Sequence, residues 1–274
     1  LDQPVDNFLD YGLWLTMNDL TEPFVHGMKN GALNFSENRD HAEFALRALE
    51  PAQAAALIGQ LIRQRKLPHD GSGPLIELIG TAGGAPELTV LFNQLKRDGF
   101  DPAAHARVLA SLAGAARLRN ARPTGDLSGV GKFLSSDDRA IREAAVQLVG
   151  EWKQTPHVPA LLVIAAEGNR AAFDSLAKIR GPQAMRGLKK LAASSQPIVT
   201  RQAAALALGT INLKGSLTEV FAVLKDTKNF NTALELWRGL LGGRGAGKLL
   251  AGGVAGAGLP KPIVTAGIRA AREG

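Results

Sequence analysis

The chain has 274 residues, 45% of them apolar and 21% charged, enough to bury a sizeable core and to exclude global disorder. It holds no cysteine, which excludes disulfides, thiolate metal sites and a cysteine nucleophile in this stretch. The net charge of +7 is uneven: residues 1–50 hold nine acids and three bases, residues 175–274 four acids and fifteen bases.

The first stretch with a pattern is helical. Leu9, Leu13, Met17 and Leu20 recur at helical spacing, and Phe8, Tyr11, Trp14 and Leu15 extend apolar character almost all round. A helix apolar on every side is expected to be buried on several sides, here between the first layer of the solenoid and whatever precedes Leu1. Asn30-Gly31 reads as a break, and Ala42, Ala45, Leu46 and Leu49 restart the stripe. Pro51, Pro86, Pro102, Pro159 and Pro197 stand where helices begin, since the first turn does not need their missing N–H. Asp101 ahead of Pro102 is a good N-cap, and Ser135 with Asp138 has capping-box spacing. Gly83-Gly84 and Gly181-Pro182 mark further breaks, and Arg119 to Ser128 is a loop that could divide two halves. Gly239 to Gly258 is rich in glycine and reads as short, loosely packed helices or a mobile segment. Alternating β-branched runs with hairpin turns are missing, so the expectation is an all-α chain of roughly thirteen helices.

Three of these helices repeat. The segment Glu143–Trp152 aligns with Arg170–Ile179 at a shift of 27 and with Gln202–Ile211 at a further 32. A small pair (144/145, 171/172, 203/204), an aliphatic (149, 176, 208) and a large apolar residue (152, 179, 211) coincide in all three. Small residues let helices approach, and the larger ones fill the space between layers. Two helices in a period near thirty residues describe an α-solenoid of stacked antiparallel pairs. An arginine eight residues ahead of a glycine, Arg142–Gly150 and Arg201–Gly209, resembles the second helix of HEAT repeats. The expected architecture is therefore one HEAT-like α-solenoid over residues 1–274, with 119–128 as the place where it could divide into two halves.

No catalytic constellation passes its own structural test. Gly242 to Lys248 spells G-x-x-x-x-G-K, but Leu249 replaces the magnesium-holding Ser/Thr and the preceding Ala233–Trp237 reads as helix, not strand. His26, His41, His69, His105 and His157 show no metal-ligand spacing, and Asp137-Asp138 sits at a helix start, where the dipole explains it. No G-x-S-x-G elbow occurs. The reading is no catalytic, cofactor or metal residue in this segment. Arg180, Arg186, Lys189, Lys190 and Arg201 form the basic cluster that could meet an acidic partner. The longest uncharged run, thirteen residues from Gln154 to Ala166, is too short for a transmembrane helix. No secretory leader is visible, and the chain opens on Leu1 and stops inside a helical pattern, so it reads as a piece of a larger multidomain protein.

Asp6-Asn7-Phe8-Leu9-Asp10-Tyr11-Gly12-Leu13-Trp14-Leu15-Thr16 resembles a motif of the large membrane-bound dehydrogenases of planctomycetes and verrucomicrobia, the haem-binding C-x-x-C-H proteins. Leu33-Asn34-Phe35, His41 with Phe44–Ala48, Arg244–Lys248 and Ala266–Gly274 are similar to later parts of that family. Gly12 stands where the family more often has alanine. The resemblance implies a dehydrogenase-like propeller before this segment, a c-type cytochrome after it and a periplasmic or cell-envelope location. It carries no catalytic residue onto this chain, and haem c belongs to the separate cytochrome domain. On this reading the segment is a non-catalytic scaffold that docks neighbouring domains or an acidic protein. Two alternatives are a basic HEAT-like nucleic-acid binder resembling DNA glycosylases and a HEAT-like bilin lyase. Against a single-strand stacking platform, the basic third offers only Phe221, Phe230 and Trp237.

Overall fold

Local signals and small residues at helix crossings account for most of the architecture. The computed structural model describes residues 6–30, 32–33, 39–65 and 67–273. Gly31, Asn34, Phe35 and Gly274 of the patterns above, and the side chains of Ala42 and Arg47, lie outside the described residues. Among the described residues there are sixteen α-helices, three short 3-10 helices and no strand. The expectation of roughly thirteen helices was low because some breaks, such as the one-residue step at Leu20, carry no proline or glycine. The chain forms two compact units, residues 1–148 and 149–274.

The first unit contains α1 (Asn7–Asp19), α2 (Thr21–Asn30), α3 (Arg39–Ala48), α4 (Pro51–Arg65), α5 (Leu75–Ala82), α6 (Ala85–Lys96), α7 (Pro102–Arg119) and most of α8 (Arg139–Glu151). The helices alternate between two rows. One row runs α1, α3, α5, α7 and the other α2, α4, α6, each helix packing on its neighbours in both rows. That is the stacked-pair arrangement of an α-solenoid. Leu88, Leu91 and Leu95 of α6 and Val108, Leu109 and Leu112 of α7 are fully buried between the rows. α5 crosses α7 closely. A Cβ on Gly80 would lie 2.8 Å from Ser111 Cβ and 2.9 Å from its carbonyl oxygen.

Caps follow the sequence with two differences. Asp6 accepts the Leu9 amide at 2.8 Å, opening α1. Asp101 precedes α7 as expected, but its carboxylate pairs with His69 Nδ1 at 2.8 Å instead of capping the helix. Ser135 ends a 3-10 helix, and Asp138 alone caps α8, accepting from Ala140 at 2.7 Å and Ile141 at 3.2 Å. Of the several sides on which α1 was expected to pack, the structure shows the one against α2 and α3: none of its residues is buried, and Leu13 and Met17 are half-buried.

The second unit holds the end of α8, then α9 (Val158–Ala166), α10 (Arg170–Ile179), α11 (Gly181–Leu191), α12 (Ile198–Asn212), α13 (Leu217–Asp226), α14 (Phe230–Leu241), α15 (Ala246–Val254) and α16 (Lys261–Glu273). One row stacks α10, α12, α14 and α16; the others pack behind it. The repeat in the sequence is a repeat in space. Ala172 and Ala204 are fully buried, as are Leu176 and Leu208 one turn on. Two further helices continue the register: Ala233 and Ala266 are also fully buried, followed by buried Trp237 and Ala270. The large position is less uniform, with Trp152 buried and Ile179 and Ile211 half-buried. Gly150 lets α8 approach α10 so closely that a Cβ would lie 2.8 Å from Ser175 Cα. The glycine-rich 239–258 stretch forms the end of α14 and all of α15, pinned by buried Ala246 and Leu250. The G-x-x-x-x-G-K sequence spans the turn after α14 and the first three residues of α15, with helix and not strand ahead of it.

Candidate functional site: a cationic groove on the second unit

The five basic residues singled out by sequence do not converge. Arg186 and Lys190 share an exposed face of α11. Lys189 on the same helix is committed, donating to Gly215 O at 3.1 Å and pairing with Glu219 at 2.8 Å. Arg201 is placed inside, not on a partner-facing surface. Its residue is 6% exposed, Nε donates to Ala192 O at 3.1 Å, and a terminal nitrogen donates to Asp226 at 2.7 Å. Beside it Gln202 donates to Thr227 Oγ1 at 2.9 Å, so the start of α12 is tied to the end of α13 twice. Arg201 therefore holds successive repeats together.

Arg180 is different. It stands in a groove of about 1010 Å³ along the free face of α10, α12 and α14. Ala177, Ala203, Ala207 and Gly239 keep the floor shallow, and Val199 projects an exposed apolar side chain. Five cations (Lys153, Arg170, Lys178, Arg180 and Arg238) and two carboxylates (Asp174 and Glu235) line it. Two of the cations are neutralised. Lys178 bonds Glu151 at 2.7 Å, and Arg238 bonds Glu273 at 2.7 Å and also Glu235. The hydrogen bond to Glu273, before the other contacts, raises the Arg238 pKa above its ordinary value. Lys153, Arg170 and Arg180 are exposed, and among the described residues none of them has a carboxylate partner within ion-pair distance. The groove thus presents uncompensated positive charge beside an apolar point.

Sequence reading missed Lys153 and Arg170. A signal for the first was present: Lys153 and Arg180 are related by the same shift of 27 as the repeat. Both follow a helix and both have positive φ, 52° and 62°. Arg170 opens α10, where a cation opposes the helix dipole, an arrangement that composition alone does not flag.

The first unit has a groove of about 910 Å³ over α5 and α7, but its charges are internally satisfied. Arg107 grips Glu77 with two hydrogen bonds, 2.8 and 3.0 Å, and donates to Gly71 O at 3.0 Å. Arg119 donates to Gly80 O at 2.8 Å, and burial lowers its pKa. Among the described residues no group of three or more His, Asp or Glu could hold a metal, and no helix is long and apolar enough to cross a membrane. Phe221 and Trp237, two of the aromatics of the basic third, are buried, so they offer no face to a nucleic-acid base.

The stacked helix pairs define a HEAT-like α-solenoid, an all-α scaffold architecture. Residues 127–209 match the profile of the family described as HEAT repeats, a span that covers α8 to α11, most of α12, the first two sequence copies and all but the last two residues of the third. No curated protein and no solved structure matches the chain.

Proposed function

We propose that this chain is a non-catalytic docking scaffold that receives an acidic segment of a partner in the groove over α10, α12 and α14. The family resemblance supplies a context: a larger oxidoreductase with a dehydrogenase-like propeller on one side and a c-type cytochrome on the other, at the cell envelope. The observation that carries the reading is the set Lys153, Arg170 and Arg180, exposed and unpaired while the other groove cations are neutralised. Unpaired cations on a rigid row of helices attract anions without first breaking an internal bond, and they steer association more than they tighten it.

A fluorescein-labelled peptide of alternating Glu and Leu tests this against the whole chain. Binding should weaken as salt rises from about 0.05 to 0.3 M, as the Debye length shrinks. The triple variant K153E/R170E/R180E should bind about threefold to a hundredfold more weakly, since three exposed pairs each contribute about 0.2–1 kcal/mol. R186E/K190E, on α11, should leave binding unchanged. Equal losses in both variants, or no binding by the native chain, would overturn the groove assignment. Tighter binding of duplex DNA than of peptide would replace it with the nucleic-acid reading.

A further inference from the structure

The opening helix is the other surface that its own unit leaves unused. Phe8 is 89% exposed and Tyr11 60%, and Trp14 and Leu15 are also exposed. Their spacing of i, i+3, i+6 and i+7 puts them on one stripe of α1, facing away from half-buried Leu13 and Met17. Tyr11 and Trp14 stack with centroids 6.1 Å apart, which presents them as one preformed aromatic block. A stripe of large side chains on a single helix is how a helix anchors in an apolar groove, and aromatic residues dominate the energetics of such contacts.

Charge selects the occupant. The first 28 residues contain five acids and no Lys or Arg, and Asp6, Asp10 and Asp19 flank or cap α1. Two copies of α1 meeting stripe to stripe would bring these like charges together. The groove on the second unit carries the opposite sign, beside exposed Val199. We infer that α1 of one molecule docks in the α10/α12/α14 groove of a second copy, a head-to-tail contact. The inference rests on the reading of that groove as a cationic docking face. Such a contact joins different surfaces on the two partners, so each molecule keeps one free end and assembly continues. It also competes with an acidic partner for the same groove.

Analytical ultracentrifugation of the whole chain from about 1 to 200 µM, the range in which pairs of micromolar affinity form, provides the test. The average mass should rise with concentration and fall with salt. F8S/W14S keeps the groove but loses the anchor; K153E/R170E keeps the anchor but loses the groove charge. Each should associate at least tenfold more weakly with itself. Neither set threatens folding: the anchors contact solvent, and a carboxylate at position 170 suits the start of α10. Mixed together, the two variants should form a one-to-one complex, because one supplies the groove and the other the helix. A native chain monomeric throughout would overturn the inference, and so would a symmetric dimer whose variants fail to complement. Binding of the Glu/Leu peptide to a monomeric chain would sink the self-association alone. Complementation without peptide binding would support it and sink the acidic-partner reading instead.

Discussion

Gly80 and Gly114 sit on adjacent helices of the first unit, and replacing each with alanine should move stability in opposite directions. Both lie inside helices, α5 and α7, where alanine is worth about 1 kcal/mol more than glycine. At Gly114 a new Cβ would have nothing within 4 Å, so the full propensity gain applies, about 0.5–1 kcal/mol. At Gly80 the new Cβ would meet Ser111 Cβ at 2.8 Å, its carbonyl oxygen at 2.9 Å and its Cα at 3.0 Å. Two of these three atoms are backbone and cannot rotate away, so α5 and α7 must separate. Overpacking of this kind costs about 1–3 kcal/mol, which outweighs the propensity gain and leaves a net loss of about 1–2 kcal/mol. The two variants thus differ by about 1.5–3 kcal/mol, which at about 2–4 °C per kcal/mol for a unit of this size puts their melting temperatures roughly 3–12 °C apart. Urea unfolding followed by circular dichroism at 222 nm measures both. A Gly80→Ala chain as stable as the Gly114→Ala chain would refute the close approach of α5 and α7, and with it the tight stacking of that row.

Arg201→Ala should destabilise the second unit by about 2–3 kcal/mol, because a buried guanidinium with two directional hydrogen bonds is lost; urea titration checks it, and Arg201→Lys should recover little. Asp226→Asn should cost under about 1 kcal/mol, as that carboxylate is half-exposed. Glu273 is held below its ordinary 4.5, by Arg238 first and then Arg269, so the folded pKa lies under the unfolded one. Its contribution is therefore present above the ordinary value and lost as pH falls through the folded one, and Glu273→Gln should flatten the acid limb of a melting-temperature profile below about pH 5. Arg180→Gly should raise stability by about 1–2 kcal/mol in urea, since φ 62° with ψ −158° is a region that favours glycine, while weakening capture of the Glu/Leu peptide.

The sequence made the helices, the punctuation and the three-copy repeat legible because these are local or periodic properties. Pro102 and Pro51 do begin helices, and Val149, Leu176 and Leu208 do share a buried position. Two helices of the same register, α14 and α16, went unread because Trp237 fills the place that an aliphatic residue holds in the earlier copies. Its ring lies against Gly267, and its Nε1 donates to Ile263 O at 2.9 Å. That substitution makes sense only when the facing glycine, thirty residues away, is known. The apolar girth of α1 was legible as a demand for partners on several sides, of which its own unit supplies the one formed by α2 and α3.

The basic cluster shows where composition stops being informative. Arg201 and Lys189 look like Arg180 and Lys190 in sequence, yet two of the four are consumed by hydrogen bonds within the repeat. Which cations remain free depends on where acids such as Asp226 and Glu219 fall one or two helices later. Lys153 and Arg180 escape that pairing and occupy repeat-related positions with positive φ, which a glycine would fill at lower cost. The helix dipole offsets the expense by about 0.3–1 kcal/mol for a cation at a helix C-terminus, while a non-glycine residue there costs about 1–2 kcal/mol. Local electrostatics does not cover the difference. A recurring cation at a position that disfavours it fits the proposed docking of an acidic segment, and both residues line the same groove.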